Sequence, residues 1–351
     1  MATRDLSRLT DLEVRLYRLT TRSHLRVGAG EGAADVAVEN PIIRALIYDQ
    51  QGGEKRVPYI PGSSLHGVVR AWVEKALRSG QQPLTGDQLK AQVEGLPDDQ
   101  DRERLLGEAR REYEAFLGRA LEDVQEVYGH WEVYTQPHVC NPLSDVDKCE
   151  RISVQESEPR AWKVAWWKTL GVAPPCAVCR IFGYMGQRGR VKFSHAWPTT
   201  EQPPLDVITR VAINRLTGAA DEGKLFDLEA IPPGVSFHFF VVMENMEDEG
   251  DRADKDRFDL GIKALGMGLA GLGAHSTVGF GMVDVEPVFT ASISPALFER
   301  DVEEDFIRPT LAVEDLATLT DLDEEKVPRF FRALVAAQAR GASYDSLIRF
   351  E

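Results

Sequence analysis

The stretch VPYIPGSSLHGVVRAWVEKAL, residues 57–77, constrains the fold more than any other segment. An apolar run meets Pro61-Gly62, and helical spacing follows at once, with Leu65, Val68, Val69, Trp72, Val73 and Leu77 on one face. The order is strand, tight turn, helix, and it sets Ser63 or Ser64 where an N-cap belongs. A helix that starts this way offers hydroxyls and unpaired backbone N–H groups, which together favour an anion.

The flanking sequence repeats this alternation. Residues 11–27 alternate apolar and polar side chains, as an opening strand does, and run into the glycine-rich loop GAGEGAAD. Residues 36–49 are β-rich, RVKFSHAWP returns to β after residue 180, and VSFHFFVVMEN over 235–245 reads as a strand. A helix is predicted over 256–273, followed by a glycine-rich loop and another strand. The expected class is α+β, with a ferredoxin-like (RRM-like) βαββαβ core formed by residues 1–80 and 180–290. Charged, helix-patterned residues 81–129 form an insertion, residues 130–179 a cysteine-rich one, and residues 291–351 an acidic helical tail.

Composition excludes several classes. No apolar run approaches a membrane span, and the charged start is no secretory signal, so a cytoplasmic, reducing compartment is expected. Four cysteines in that compartment are thiols or metal ligands rather than disulfides. The net charge of -15 argues against a generic nucleic-acid binder. However, the acid is concentrated in residues 247–259 and 301–351, whereas RIFGYMGQRGRVK over 180–192 has four basic residues and no acid. A basic groove is compatible with that distribution.

The cysteines fall as Cys140-x8-Cys149 and Cys176-x2-Cys179. The second pair has the spacing of a zinc knuckle, Pro174-Pro175 pre-forms its turn, and His138 is an alternative ligand. Such a set is closed, so the zinc expected here is structural. Trp162, Trp166 and Trp167 share one helical face with lysines between them, a pattern that fits packing better than base stacking.

Three separated segments carry a family resemblance: YIPGSSLHGVVR at 59–70, ITRVAINRLTGAADEGKLFDLEAIPPGVSFHF at 208–239, and LAGLGAHSTVGFGMV at 269–283. In this order they resemble the RAMP superfamily, and most closely its backbone (Cas seven-like) subunits of type III CRISPR effector complexes, antiviral ribonucleoproteins. The resemblance implies partners: a CRISPR guide RNA, a target RNA and other Cas subunits. It implies that the loop of Gly271, Gly273, His275 and Gly279 lies against guide RNA, where glycines admit a phosphate to the backbone. With Ser63 and Ser64 goes His66, where the family usually has lysine, and Arg70 matches a family basic residue. Arg26 stands where histidine is frequent. Residues 208–231 resemble the thumb hairpin, which makes Arg210, Asn214 and Arg215 RNA contacts.

Cleaving members carry an aspartate just before the Asn-Pro-Ile-Ile segment, a position held here by Glu39. A carboxylate there, or Asp35 nearby, would hold Mg²⁺ for target-RNA cleavage, although the extra methylene of glutamate displaces it. Two readings stay open: a metal-dependent endoribonuclease, and a non-catalytic structural or capping subunit. A stand-alone guide-processing nuclease ranks below both. It needs histidine-centred acid–base chemistry, and His24, His66, His195 and His275 are scattered in the sequence.

Overall fold

The structure, a computed structural model, describes residues 9–28, 40–48, 53–80, 107, 139–140, 176–184, 187–200, 202–246, 252–295 and 348–350. The expected helices of 81–129 and of the tail, the three clustered tryptophans, Asp35, Glu39, His138 and Cys149 lie outside the described residues. The chain forms two compact units, Met1–Arg4 with Val73–Arg190 and Asp5–Trp72 with Val191–Glu351.

The second unit is built on an antiparallel sheet, giving an α+β chain. Its central strand, β1 (Leu12–Thr21), runs between β8 (Ser236–Glu244) and β9 (Val283–Ile293). β10 (Ile348–Phe350) pairs with β9, while β4 (Val191–Phe193) and β5 (Trp197–Pro198) pair with β8. The strand order is therefore β10-β9-β1-β8-β4.

The pleat sorts β1 into two faces, both carrying buried residues. Tyr17 and Leu19 lie on one, and Val14 and Leu16 on the other. Each fully buried leucine stabilises the fold by roughly 1.5–3 kcal/mol. On the first face Tyr17 stacks on its cross-strand neighbour Phe239 at 5.2 Å, and Phe193 stacks on Phe239 in turn. Phe258 brings helix α3 (Arg252–Gly266) onto this aromatic row, 5.9 Å from Phe193.

Charge is also buried under α3. Arg15 bonds both Glu13 and Asp259, and Lys255 reaches Glu13. Burial alone would lower the Arg15 guanidinium, but Tyr17, Asp259 and Glu13 outweigh it and hold the cation firmly. Removing one partner would leave a buried charge uncompensated, so the network fixes α3 in register on β1.

Two ribbons project from this sheet. β2 (Arg44–Tyr48) pairs with β3 (Glu54–Pro58), and β6 (Asp206–Ile213) pairs with β7 (Ala220–Ala230). Residues 40–43 strap the two together. Ile43 N–H donates to Val27 O, Glu229 N–H donates to Asn40 O, and the buried Glu229 carboxylate accepts from Ile42 N–H and Arg44.

Helix α1 (Gly62–Ser79) follows the Pro61 turn as expected and buries Leu65, Val69 and Val73 completely, one turn apart. Its start differs from expectation. Ser63 and Ser64 lie inside the first turn, not at the N-cap, because the helix begins at Gly62. A β-carbon at Gly62 would sit 2.6 Å from Phe193 O, so only glycine lets the chain turn this close to the sheet. Gly62 N–H donates to His195 Nδ1 at 3.0 Å, and the N–H groups of Ser64 and Leu65 to Pro61 O. A helix start already supplied with acceptors is a weaker anion site than its sequence promised.

Candidate nucleic-acid interface

The glycine-rich loop after α3 is laced to the chain leaving β1. Ala274 N–H donates to Arg26 O, Gly281 N–H to His24 O, and Leu272 N–H to Gly281 O. These bonds require close approach. A β-carbon at Gly273, which has φ 78°, would meet Arg26 O at 2.3 Å, and one at Gly271 would meet the Ser276 side chain at 2.4 Å. Those two glycines, expected to make room for phosphate, make room for the protein itself. Gly279 is different: φ is 91° and nothing lies within 4 Å of its missing side chain. It closes the short 3-10 turn Ser276–Val278, whose opposite end is His275 at φ 62°.

Phe280 is the hub. The buried ring packs with Leu228 and Ala230, and Ile208 and Phe226 of the β6–β7 hairpin cover it. His24 and His275 each lie 5.7 Å from its centroid, and the Arg210 guanidinium sits 4.5 Å above its face. Arg210 arrives there by strand parity, since β6 turns Ile208 and Arg210 inward and Val207, Val211 and Ile213 outward. His24 Nε2 contacts Asp206 Oδ2 at 3.0 Å, tying the hairpin base to the end of β1. Arg26 folds its guanidinium over Gly28, and its buried Nε has no hydrogen-bond partner among the described residues.

Arg26, Arg210 and His275 thus share one locale. Among the described residues neither Arg26 nor Arg210 forms an ion pair. Burial pushes the Arg26 guanidinium below its ordinary value, though it stays charged. His275 is pushed below the usual imidazole range, by burial first and then by Arg210 and Arg26. Two guanidinium groups without an ion pair among the described residues, close to His275, are chemically suited to a phosphodiester.

The remaining expected residues divide. Asn214 folds its side chain into the hairpin tip, where Oδ1 accepts from Leu216 N–H at 2.9 Å. Arg215 is exposed beside it. At α1, His66 packs edge-on against Phe193 at 5.8 Å, Ser63 is exposed, and Ser64 and Arg70 are half-buried. Of the four histidines, His24 and His275 meet across Phe280, whereas His66 and His195 belong to the packing of α1. Sequence reading missed Phe280 and the His24–Asp206 contact. A phenylalanine between glycines was the only signal for the hub, and nothing local joins residues 24 and 206.

The first unit holds a second cluster. Cys140, Cys176 and Cys179 are buried with their sulfurs within 4.8 Å of one another. Cys140 and Cys179 Sγ lie 3.6 Å apart. Tetrahedral thiolates at the usual ~2.3 Å Zn–S distance stand about 3.7 Å apart, while a disulfide is about 2.05 Å. Cys176 caps helix α2 (Ala177–Phe182) and accepts from Cys179 N–H at 3.4 Å, and Arg78 of α1 donates to Cys140 O. The donor set fits a soft metal ion.

The antiparallel sheet, the glycine loop locked to β1 and the grouping of Arg26, Arg210 and His275 give an α+β chain with a basic locale beside an exposed glycine turn. The sequence model of the RAMP superfamily matches residues 18–284, and the chain belongs to that superfamily. Among solved structures, the Type III-B Cmr-beta bound to cognate target RNA, determined by cryo-EM, is similar at 15% identity with a TM-score of 0.34. The match covers 79% of this chain and 59% of that one, so the chain spans about three fifths of that relative. No curated protein matches. Among the described residues, no helix is long and apolar enough to cross a membrane.

Proposed function

We propose that the chain is a guide-RNA-binding backbone subunit of a type III CRISPR effector complex, acting in the cytoplasm with other Cas subunits and a target RNA. The observation that carries this reading is the approach of Arg26 and Arg210 to His275, the residue that opens the exposed turn closed by Gly279. Superfamily membership supports it, and the strand order β9-β1-β8-β4 with α1 and α3 is compatible with the proposed ferredoxin-like βαββαβ core. Arg215 and the exposed Leu216 at the hairpin tip fit a thumb that reaches into RNA. In the first unit, Cys140, Cys176 and Cys179 hold a structural zinc, with Cys149 or His138 as the fourth ligand.

The chain expressed beside a CRISPR array and purified in 0.5 M salt is expected to retain discrete repeat-derived RNAs. The double variant Arg26→Gln, Arg210→Gln is expected to lose them. Random RNA that washes off with salt in both proteins would reject the reading. Glu39→Ala and Asp35→Ala then separate its two forms. Mg²⁺-dependent target cleavage that either variant removes makes the subunit a nuclease, and intact binding without cleavage makes it a scaffold.

A further inference from the structure

We propose that His275 is the residue that tells RNA from DNA at this site, by hydrogen bonding the ribose 2′-hydroxyl. This rests on the RNA-binding reading above and goes beyond it, because phosphate contacts alone do not distinguish the two nucleic acids.

The argument starts from a division of labour. A nucleotide seated over the Gly279 turn meets two permanent cations, Arg26 and Arg210, which suit its phosphates. His275 does not duplicate them. The two arginines and partial burial disfavour its charge, so near neutral pH it is an uncharged imidazole. An uncharged imidazole carries one N–H donor and one lone pair, the complement of a hydroxyl that both accepts and donates. His24 is unsuited to the task because Nε2 is already engaged with Asp206.

The backbone also fixes His275 in place. It holds a left-handed conformation (φ 62°), and its carbonyl accepts from Val278 and Phe280 N–H at 3.0 and 3.3 Å. Its ring rests edge-on against Phe280, and the next four residues, Ser276 to Gly279, are exposed. The half-buried imidazole is therefore held at the edge of an exposed turn, within the electrostatic reach of both arginines. A non-glycine residue kept at positive φ in such a turn is strain that a side-chain role would explain.

The test compares fluorescence anisotropy of the full chain with a single-stranded RNA and its all-2′-deoxy counterpart at pH 7.5. Wild type is expected to prefer RNA by about tenfold, the value of one well-placed hydrogen bond. His275→Gly, which the positive φ tolerates, should weaken RNA binding more than DNA binding and so lose most of the preference. His275→Asn, which keeps a donor, an acceptor and tolerance of this backbone, should retain most of the preference. Arg26→Gln should weaken both ligands equally. Equal loss of RNA and DNA in His275→Gly, or an unchanged preference, overturns the inference while leaving RNA binding intact. Failure of the wild type to bind either oligonucleotide overturns the RNA-binding reading and this one with it.

Discussion

Arg26 and Arg210 reach the same locale by different routes. Arg26 follows the last residues of β1, whereas Arg210 is delivered by the inward parity of β6, and Phe280 fixes its guanidinium by a cation–π contact. Each is expected to neutralise one phosphate. Replacement of either by glutamine should lower the slope of log K against log salt by about 0.7 for single-stranded RNA, measured by salt titration. Phe280→Leu stays apolar but removes the platform and part of the buried volume, so it should weaken RNA binding through Arg210 with a stability loss of about 1–2 kcal/mol. The pH response of His275 follows from its lowered value. The folded chain favours the neutral ring, so below the ordinary value of 6.5 the unfolded chain binds more protons. This group's contribution to stability is therefore constant above that pH and declines as the pH falls through it toward the folded value. Chemical denaturation between pH 7.5 and 5 should show a shallower decline in His275→Asn. Arg26, Arg210 and His275 were candidates in the sequence only through the family resemblance of the segments that hold them. Phe280 was not, because a buried ring in a core and one beneath a cation look alike in one dimension.

At the scale of elements, the glycine loop separates packing from recognition. Gly273→Ala forces a β-carbon against Arg26 O at positive φ and should cost more than about 2 kcal/mol. Gly279→Ala bears only the backbone penalty, about 1–2 kcal/mol, because no atom lies within 4 Å. Its methyl would fill the open turn, so RNA affinity should fall further than stability explains. Urea denaturation paired with RNA titration of both variants checks the contrast. The start of α1 is a second case. His195→Ala removes the acceptor of Gly62 N–H and a ring packed against Tyr59, and should destabilise by about 1 kcal/mol without weakening RNA binding. Strand and helix order could be read from periodicity, and the β6–β7 hairpin from the family resemblance of residues 208–231. The N-cap could not. A local serine pattern gave way to a histidine 133 positions away, and tertiary contacts leave no trace in local spacing.

At the scale of the molecule, the two units are expected to answer to different ligands. Residues around Cys140, Cys176 and Cys179 lack the periodic apolar pattern that would let them fold on burial alone, so a metal would supply a large share of their stability. The proposed RNA site draws on the chain after β1, the hairpin and the glycine loop, all in the other unit. A chain so divided need not melt in one step. The purified full chain should contain one zinc per molecule by mass spectrometry, and Cys176→Ser should contain none. A strong chelator should lower only one of two calorimetric transitions, and added guide RNA should raise only the other. Cys149→Ser and His138→Ala then identify the fourth ligand, since only its loss should reproduce the Cys176→Ser result. Zinc-free wild type with an unaltered melting profile would make the cluster three reduced core thiols. The proposed RNA site would be unaffected by that outcome, because none of its residues belongs to that unit.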